Sequence, residues 1–161
     1  MNRASLGAMT IGLAGACAAP ADPPVIVGLP AGGPGPRLSP RALELINLER
    51  AGQGLAALAF DPRAGEAALA HAGDMAGQGF MGHPGSDGAS VGDRLARAGL
   101  VWCLAAENVA HGYGDAEGVV AGWMGSPGHR DNTLSSAVVG AVARAGPDEA
   151  SYWVAVFATP C

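Results

Sequence analysis

Two segments carry the side chains best suited to chemistry. Phe80-Met81-Gly82-His83-Pro84 sets one imidazole in a stretch rich in glycine and proline, and Ser126-Pro127-Gly128-His129-Arg130 sets a second. Between them, Ala106-Glu107-Asn108 supplies a carboxylate. Two imidazoles and a carboxylate are the material of a divalent-metal site of the His₂Glu type, which leaves a coordination position for water. The intervals do not choose that use, because His83 and His129 are far apart with no short ligand spacing. Hydrogen bonding of both rings to Glu107 and to backbone groups stands beside metal binding as a reading of the same residues.

Other chemistries fail at single positions. A nucleophile elbow around Ser126 needs glycine at 124, where Met124 stands. The His-Glu-x-x-His helix of zinc proteases is absent, and Gly112-Tyr113-Gly114 lacks the third glycine of a phosphate-cradling loop. His71 falls on the apolar face of a helix beside Ala68 and Met75, which makes it a core histidine with its hydrogen bonds satisfied. Asn108 reads as a backbone tie rather than a ligand contact.

These residues need a scaffold, and the hydrophobic spacing outlines one. Ser39-Pro40 has the cap-then-proline form of a helix start, and Leu38, Ala42, Leu45, Ile46 and Leu48 recur at helical intervals up to Ala51-Gly52. Asp61-Pro62 repeats the signal for a second helix, with Ala64, Ala67, Ala68, His71, Ala72 and Met75 on one face and an end at Gly77-Gln78-Gly79. Gly82 to Gly88 reads as a loop, Val91 to Ala98 as a short helix with Leu95 inward, and Leu100 to Val109 as extended chain. Glu117 to Met124 forms a further helix with Val119, Val120, Trp123 and Met124 on its apolar side. Pro127 ends it, and Ser126 to His129 reads as a turn. Ala137 to Arg144 and Tyr152 to Ala158 are strands around the turn at Ala145 to Asp148. Helices first and strands late indicate an α+β fold with helices covering a mostly antiparallel sheet.

The ends of the chain speak to compartment. Residues 1–18 begin with Arg3 and continue in small and apolar residues without a carboxylate, the form of a secretory signal and too short to cross a bilayer. Leu13-Ala14-Gly15-Ala16-Cys17 resembles a lipobox, which makes Cys17 the lipidation candidate; ordinary cleavage near Ala14 to Ala16 is the alternative. Residues 19–37 are a Pro/Gly-rich tether, and 38–161 form one domain. An exported chain meets oxidising conditions, where Cys103 and Cys161 have a partner in each other; two unrelated thiols is the other reading. The net charge of −5 and the absence of a Lys/Arg cluster exclude nucleic acid as a partner.

Taken together, the segments Phe80 to Gly88, Ala106 to Ala110 and Gly122 to Leu134, followed by Val139 to Val142 and Tyr152 to Phe157, resemble the bacterial branch of the CAP superfamily (cysteine-rich secretory protein, antigen 5, pathogenesis-related 1). The resemblance runs from Ser39 to Phe157. It implies an α-β-α sandwich with a central cleft in which His83 and His129 match the two cavity histidines and Glu107 the acidic residue of the Gly-Glu-Asn motif, with Ala106 in place of the glycine. A second cavity glutamate of eukaryotic members falls at Ser126, so the acidic set is incomplete. Ser126 and His111 line the expected cleft or its rim. The metal ligands implied are His83 and His129, with zinc or magnesium as the ion.

The resulting expectation is an exported module, in the periplasm or cell envelope if lipid-anchored and extracellular otherwise, whose cleft binds a divalent ion, a small ligand, a lipid or an envelope component. The alternative is a metal-assisted, peptidase-like hydrolase with His83, Glu107 and His129 as its catalytic candidates. It carries less weight, because a fold alone does not make an enzyme.

Overall fold

The computed structural model describes residues 34–161. The signal, lipobox and most of the tether, with Cys17, lie outside the described residues. Ten principal elements follow in order: β1 (Arg37–Leu38), α1 (Pro40–Gly52), β2 (Ala59–Phe60), α2 (Pro62–Gln78), α3 (Val91–Arg97), β3 (Trp102–His111), α4 (Ala116–Gly125), α5 (Pro127–Thr133), β4 (Val139–Ala145) and β5 (Tyr152–Pro160). The helix starts are chemical. Ser39 accepts from the Ala42 N–H and Asp61 from the Arg63 N–H, and each is followed by proline at the first helical turn. Gly79 closes α2 in the left-handed conformation at φ 69°, which a side chain would resist.

The sheet runs β1-β4-β5-β3, with β2 added to β4. Every pairing is antiparallel except β2 with β4. β4 has its outer edge shared by two short strands, β1 at Ala143 and Arg144 and β2 at Val139 and Gly140. Strand alternation then sorts side chains into two cores. Val154, Val156 and Ala158 of β5 face the alanine-rich side of α2, while Trp153, Ala155 and Phe157 face α1 and α4. The result is an α-β-α sandwich of the α+β class.

Arg50 was not among the core positions the helical spacing indicates, yet it is 3% exposed. Its guanidinium donates to the carbonyls of Ala56, Thr133, Ser135 and Ala137, tying α1 to the connection between α5 and β4. Leu48, placed on the apolar face by that spacing, is instead 60% exposed, because α1 turns Ala42, Ile46 and Arg50 inward. The Ser126 to His129 turn is also corrected: Pro127 stops α4 but starts α5, the same Ser-Pro helix opening that begins α1.

Cys103 and Cys161 form a disulfide, with Cα atoms 5.0 Å apart. Cys103 lies where the β3–β5 register shifts between Trp102 and Leu104, and the Cys161 N–H donates to the Val101 carbonyl. The bridge therefore holds the end of β5 against the start of β3. Replacing both cysteines by serine should lower unfolding stability by about 2–4 kcal/mol, measured by urea denaturation, while the wild type in reductant should fall to the same value. Arg50→Met strands four carbonyls and should cost about 3 kcal/mol or more in the same assay, from one unsatisfied-group penalty per carbonyl after partial relaxation.

Candidate functional site

β3 is an edge strand, and Glu107 and Asn108 are consecutive on it. Their side chains must leave by opposite faces. Glu107 enters the layer of α2 and α3, where it is 4% exposed. Its Oε2 accepts from Arg94 of α3 at 2.7 Å, and its Oε1 lies 3.0 Å from Nδ1 of His83. Asn108 enters the other layer, where its amide donates to the His129 carbonyl at 2.9 Å and to Thr133 Oγ1 at 3.1 Å. Asn132 returns the tie, donating to the Glu107 carbonyl and to Asn108 Oδ1. One dipeptide on the sheet edge thus supports both histidine-bearing segments.

The loop that carries His83 is fixed at three atoms. Arg94 donates to the His83 carbonyl at 3.0 Å and to the Ala89 carbonyl at 2.7 Å. His71 Nε2 donates to the Gly82 carbonyl at 2.7 Å. The His83 ring is 58% exposed despite its buried partner. Its Nδ1–H is given to the Glu107 carboxylate, so in the neutral ring Nε2 is a lone pair facing outward. This is the arrangement that fixes the tautomer and ring orientation of metal-binding imidazoles.

His129, in α5, is half-buried. Burial holds its pKa below the ordinary imidazole value, and the proximity of His83 lowers it further. Both oxygens of Glu107 are engaged, one by His83 and the other by Arg94. Among the described residues, no group of three or more His, Cys, Asp or Glu side chains is placed to hold an ion. Glu107 therefore lies behind the His83 ring as its hydrogen-bond partner.

The family model for CAP, the cysteine-rich secretory protein family, matches residues 43–157. This chain belongs to that family. Two relatives from Bacillus subtilis strain 168 are 36% identical: the uncharacterized membrane protein YlbC over 94 residues, 58% of this chain and 27% of the relative, and the uncharacterized protein YkwD over 95 residues, 59% and 37%. The chain thus spans about a third of the curated relatives it matches. Among solved structures, an extracellular SCP-domain protein from Bacillus anthracis aligns with TM-score 0.66 at 29% identity, over 73% of this chain and 38% of that one. An outer surface protein from Borrelia burgdorferi aligns with TM-score 0.68 at 20% identity, over 74% and 90%, a likeness of fold.

Within this CAP domain Ser126 precedes His129 at the start of α5, while His71 and His111 stand on α2 and β3. Ser126 caps α5 without a side-chain hydrogen bond to it and is half-buried. His111, at the far end of β3, is exposed and packs on the Tyr152 ring at 4.2 Å between centroids. His71 is fully buried within 3.9 Å of Glu107, and only one of its ring nitrogens has a partner. Sequence reasoning missed Arg94, the cation that makes a buried Glu107 tenable. Its signal was slight, an arginine one helical turn after the Ser90 cap of α3.

Burial also keeps His71 below the usual imidazole range, with Glu107 opposing the shift and Arg94 adding to it. The unfolded histidines protonate near pH 6.5, and the folded ones only at lower pH. Their contribution to stability is therefore complete above the unfolded value and is lost as pH falls below it toward the folded values. Urea midpoints should drop between about pH 7 and about pH 5, and the drop should be shallower in His71→Gln. Glu107→Gln, which leaves the Arg94 charge buried and unpaired, should lose about 3–5 kcal/mol at neutral pH.

Proposed function

We propose that this chain is an exported binding module whose cleft presents the paired imidazoles of His83 and His129 to a divalent ion or a small ligand. The observation that carries it is the bond from His83 Nδ1–H to a buried, arginine-held carboxylate, which leaves Nε2 of an exposed ring without its proton. A signal-like N-terminus, a disulfide and likeness to an extracellular protein support export. Lipid attachment through Cys17 fits the tether that follows it, and an envelope component, a lipid or another small ligand fits a domain held there.

Two neutral imidazoles without a free carboxylate suit zinc better than magnesium, which favours oxygen ligands. His83 and His129 would hold it, with solvent or ligand completing the coordination. A bound zinc ion would supply Lewis acidity toward water or a carbonyl. The protein's own contribution is positional: Glu107 fixes the His83 tautomer, Arg94 fixes Glu107, and Asn108 fixes the α5 turn that carries His129.

Binding is favoured over hydrolysis by the same geometry. Glu107 is committed by both oxygens, and Ser126 stands where a second carboxylate would be needed. Calorimetric titration of the purified protein with zinc should give one site, weakened by about tenfold or more in His83→Ala and in His129→Ala. Absence of zinc binding in the wild type would overturn the metal reading, and turnover of peptide or cell-wall substrates would overturn the preference for a module over an enzyme.

A further inference from the structure

The outer edge of β4 is shared by β1 at Ala143 and Arg144 and by β2 at Val139 and Gly140, and a groove of about 610 Å³ reaches β4 at Val142, between them. It lies at the edge of the sheet opposite β3, the strand that carries Glu107. Val142, Leu43, Leu38, Phe60 and Leu48 line it, and the last three are 38%, 51% and 60% exposed. Three large apolar side chains along one groove make a patch, unlike the singly scattered ones of an ordinary surface. The polar groups at its rim already have partners. Asn47 accepts from the Leu58 N–H and donates to its carbonyl, Ser39 accepts from the Ala42 N–H, and Glu44 accepts from Arg41. What the groove offers to an occupant is therefore aliphatic surface.

The chain enters the domain beside this groove. The Pro34 carbonyl accepts from the Gly146 N–H, Arg37 and Leu38 pair with Arg144 and Ala143, and the Ser39 N–H donates to the Val142 carbonyl. Residues 1–33 lie outside the described residues. Within the part of the tether found there, Val25-Ile26-Val27 with Leu29 beside it is the one aliphatic run, uncharged and bounded by Pro24 and Gly28. A spacer of glycine and proline has no need of such a run.

We propose that Val25-Ile26-Val27 docks in this groove of its own domain. The chain from Val27 to Pro34 reaches at most about 25 Å when extended. The return along β4 from Gly146 to Val142 is about 13 Å. The run therefore reaches the groove by folding back beside Pro34 to Leu38, with Gly28, Gly32 and Gly33 available for the reversal. Covalent attachment gives it an effective concentration on the order of millimolar, an advantage over a free partner with the same surface. The docking depends neither on lipidation nor on a metal at His83 and His129. Where Cys17 is lipidated, docking leaves residues 18–24 as the spacer and turns the β4 edge, rather than the β3 edge, toward the anchor.

The test is nuclear magnetic resonance of the full exported chain with labelled methyl groups. Nuclear Overhauser contacts from the Ile26 δ1 methyl to the Leu48 methyls and the Phe60 ring are expected. Leu48→Asp, at an exposed position, should abolish them. Ile26→Asp, outside the described domain, should shift the Leu48 and Phe60 signals and decides the matter if the first variant does not fold. Absence of the contacts in the wild type, their undiminished survival in Leu48→Asp, or unshifted groove signals in Ile26→Asp overturns the docking. Contacts that arise only between differently labelled molecules in a mixed sample give the groove to a second copy and overturn it as well.

Discussion

A carboxylate taken almost entirely out of water cannot stay charged without partners, and the arrangement around Glu107 follows from that requirement. Arg94 answers one oxygen and His83 the other. To reach Glu107, α3 must lie against α2 and β3, and the Gly82 to Ala89 loop must fold back over it. Arg94 secures that loop by donating to two of its carbonyls while it holds the carboxylate. A buried ion pair is weak evidence for stability compared with an apolar substitute of the same shape. Here it does something an apolar pair could not, since it orients an exposed imidazole from beneath.

The position of the pair on an edge strand matters as much as its charge. An interior strand has neighbours on both sides, so no helix could bond its backbone. On β3 the outer edge is open, and Asn132 of α5 donates to the Glu107 carbonyl directly. Adjacent residues of a strand point to opposite faces, so Glu107 organises the α2–α3 layer and Asn108 the α5 layer. His83 and His129 are thereby tied to opposite layers of the sandwich, one through Glu107 and the other through the Asn108 bond to its carbonyl. The disulfide holds β3 to β5 at Cys103, on the same strand, and keeps that edge in register.

Much of this was legible in the residues. Cap-plus-proline pairs placed α1 and α2, and the turn at Ala145 to Asp148 between two apolar runs placed β4 and β5, because these signals act over a few residues. The same reasoning went astray where the signal was ambiguous. Ser126-Pro127 can end one helix or begin another, and it does both, since the first turn of α5 needs no proline N–H. Arg50 reads as a solvated helix end by type, and only four carbonyls arriving from distant segments make it a core residue. Nothing near Arg50 in sequence announces them.

The sequence by itself determined the starts of α1 and α2, the α+β class and the family, and it named His83, Glu107 and His129 as candidates. Tertiary structure decided their roles. Glu107 by type was a metal ligand or a base, and became a support because Arg94 and His83 occupy both of its oxygens. His71 by position was a satisfied core histidine, and instead keeps Nδ1 unpaired because the Gly82 carbonyl engages only the other nitrogen. Local spacing sets which face of a helix or strand a side chain leaves by. What it meets there depends on elements brought from elsewhere in the chain, and a carboxylate or imidazole takes its function from those partners.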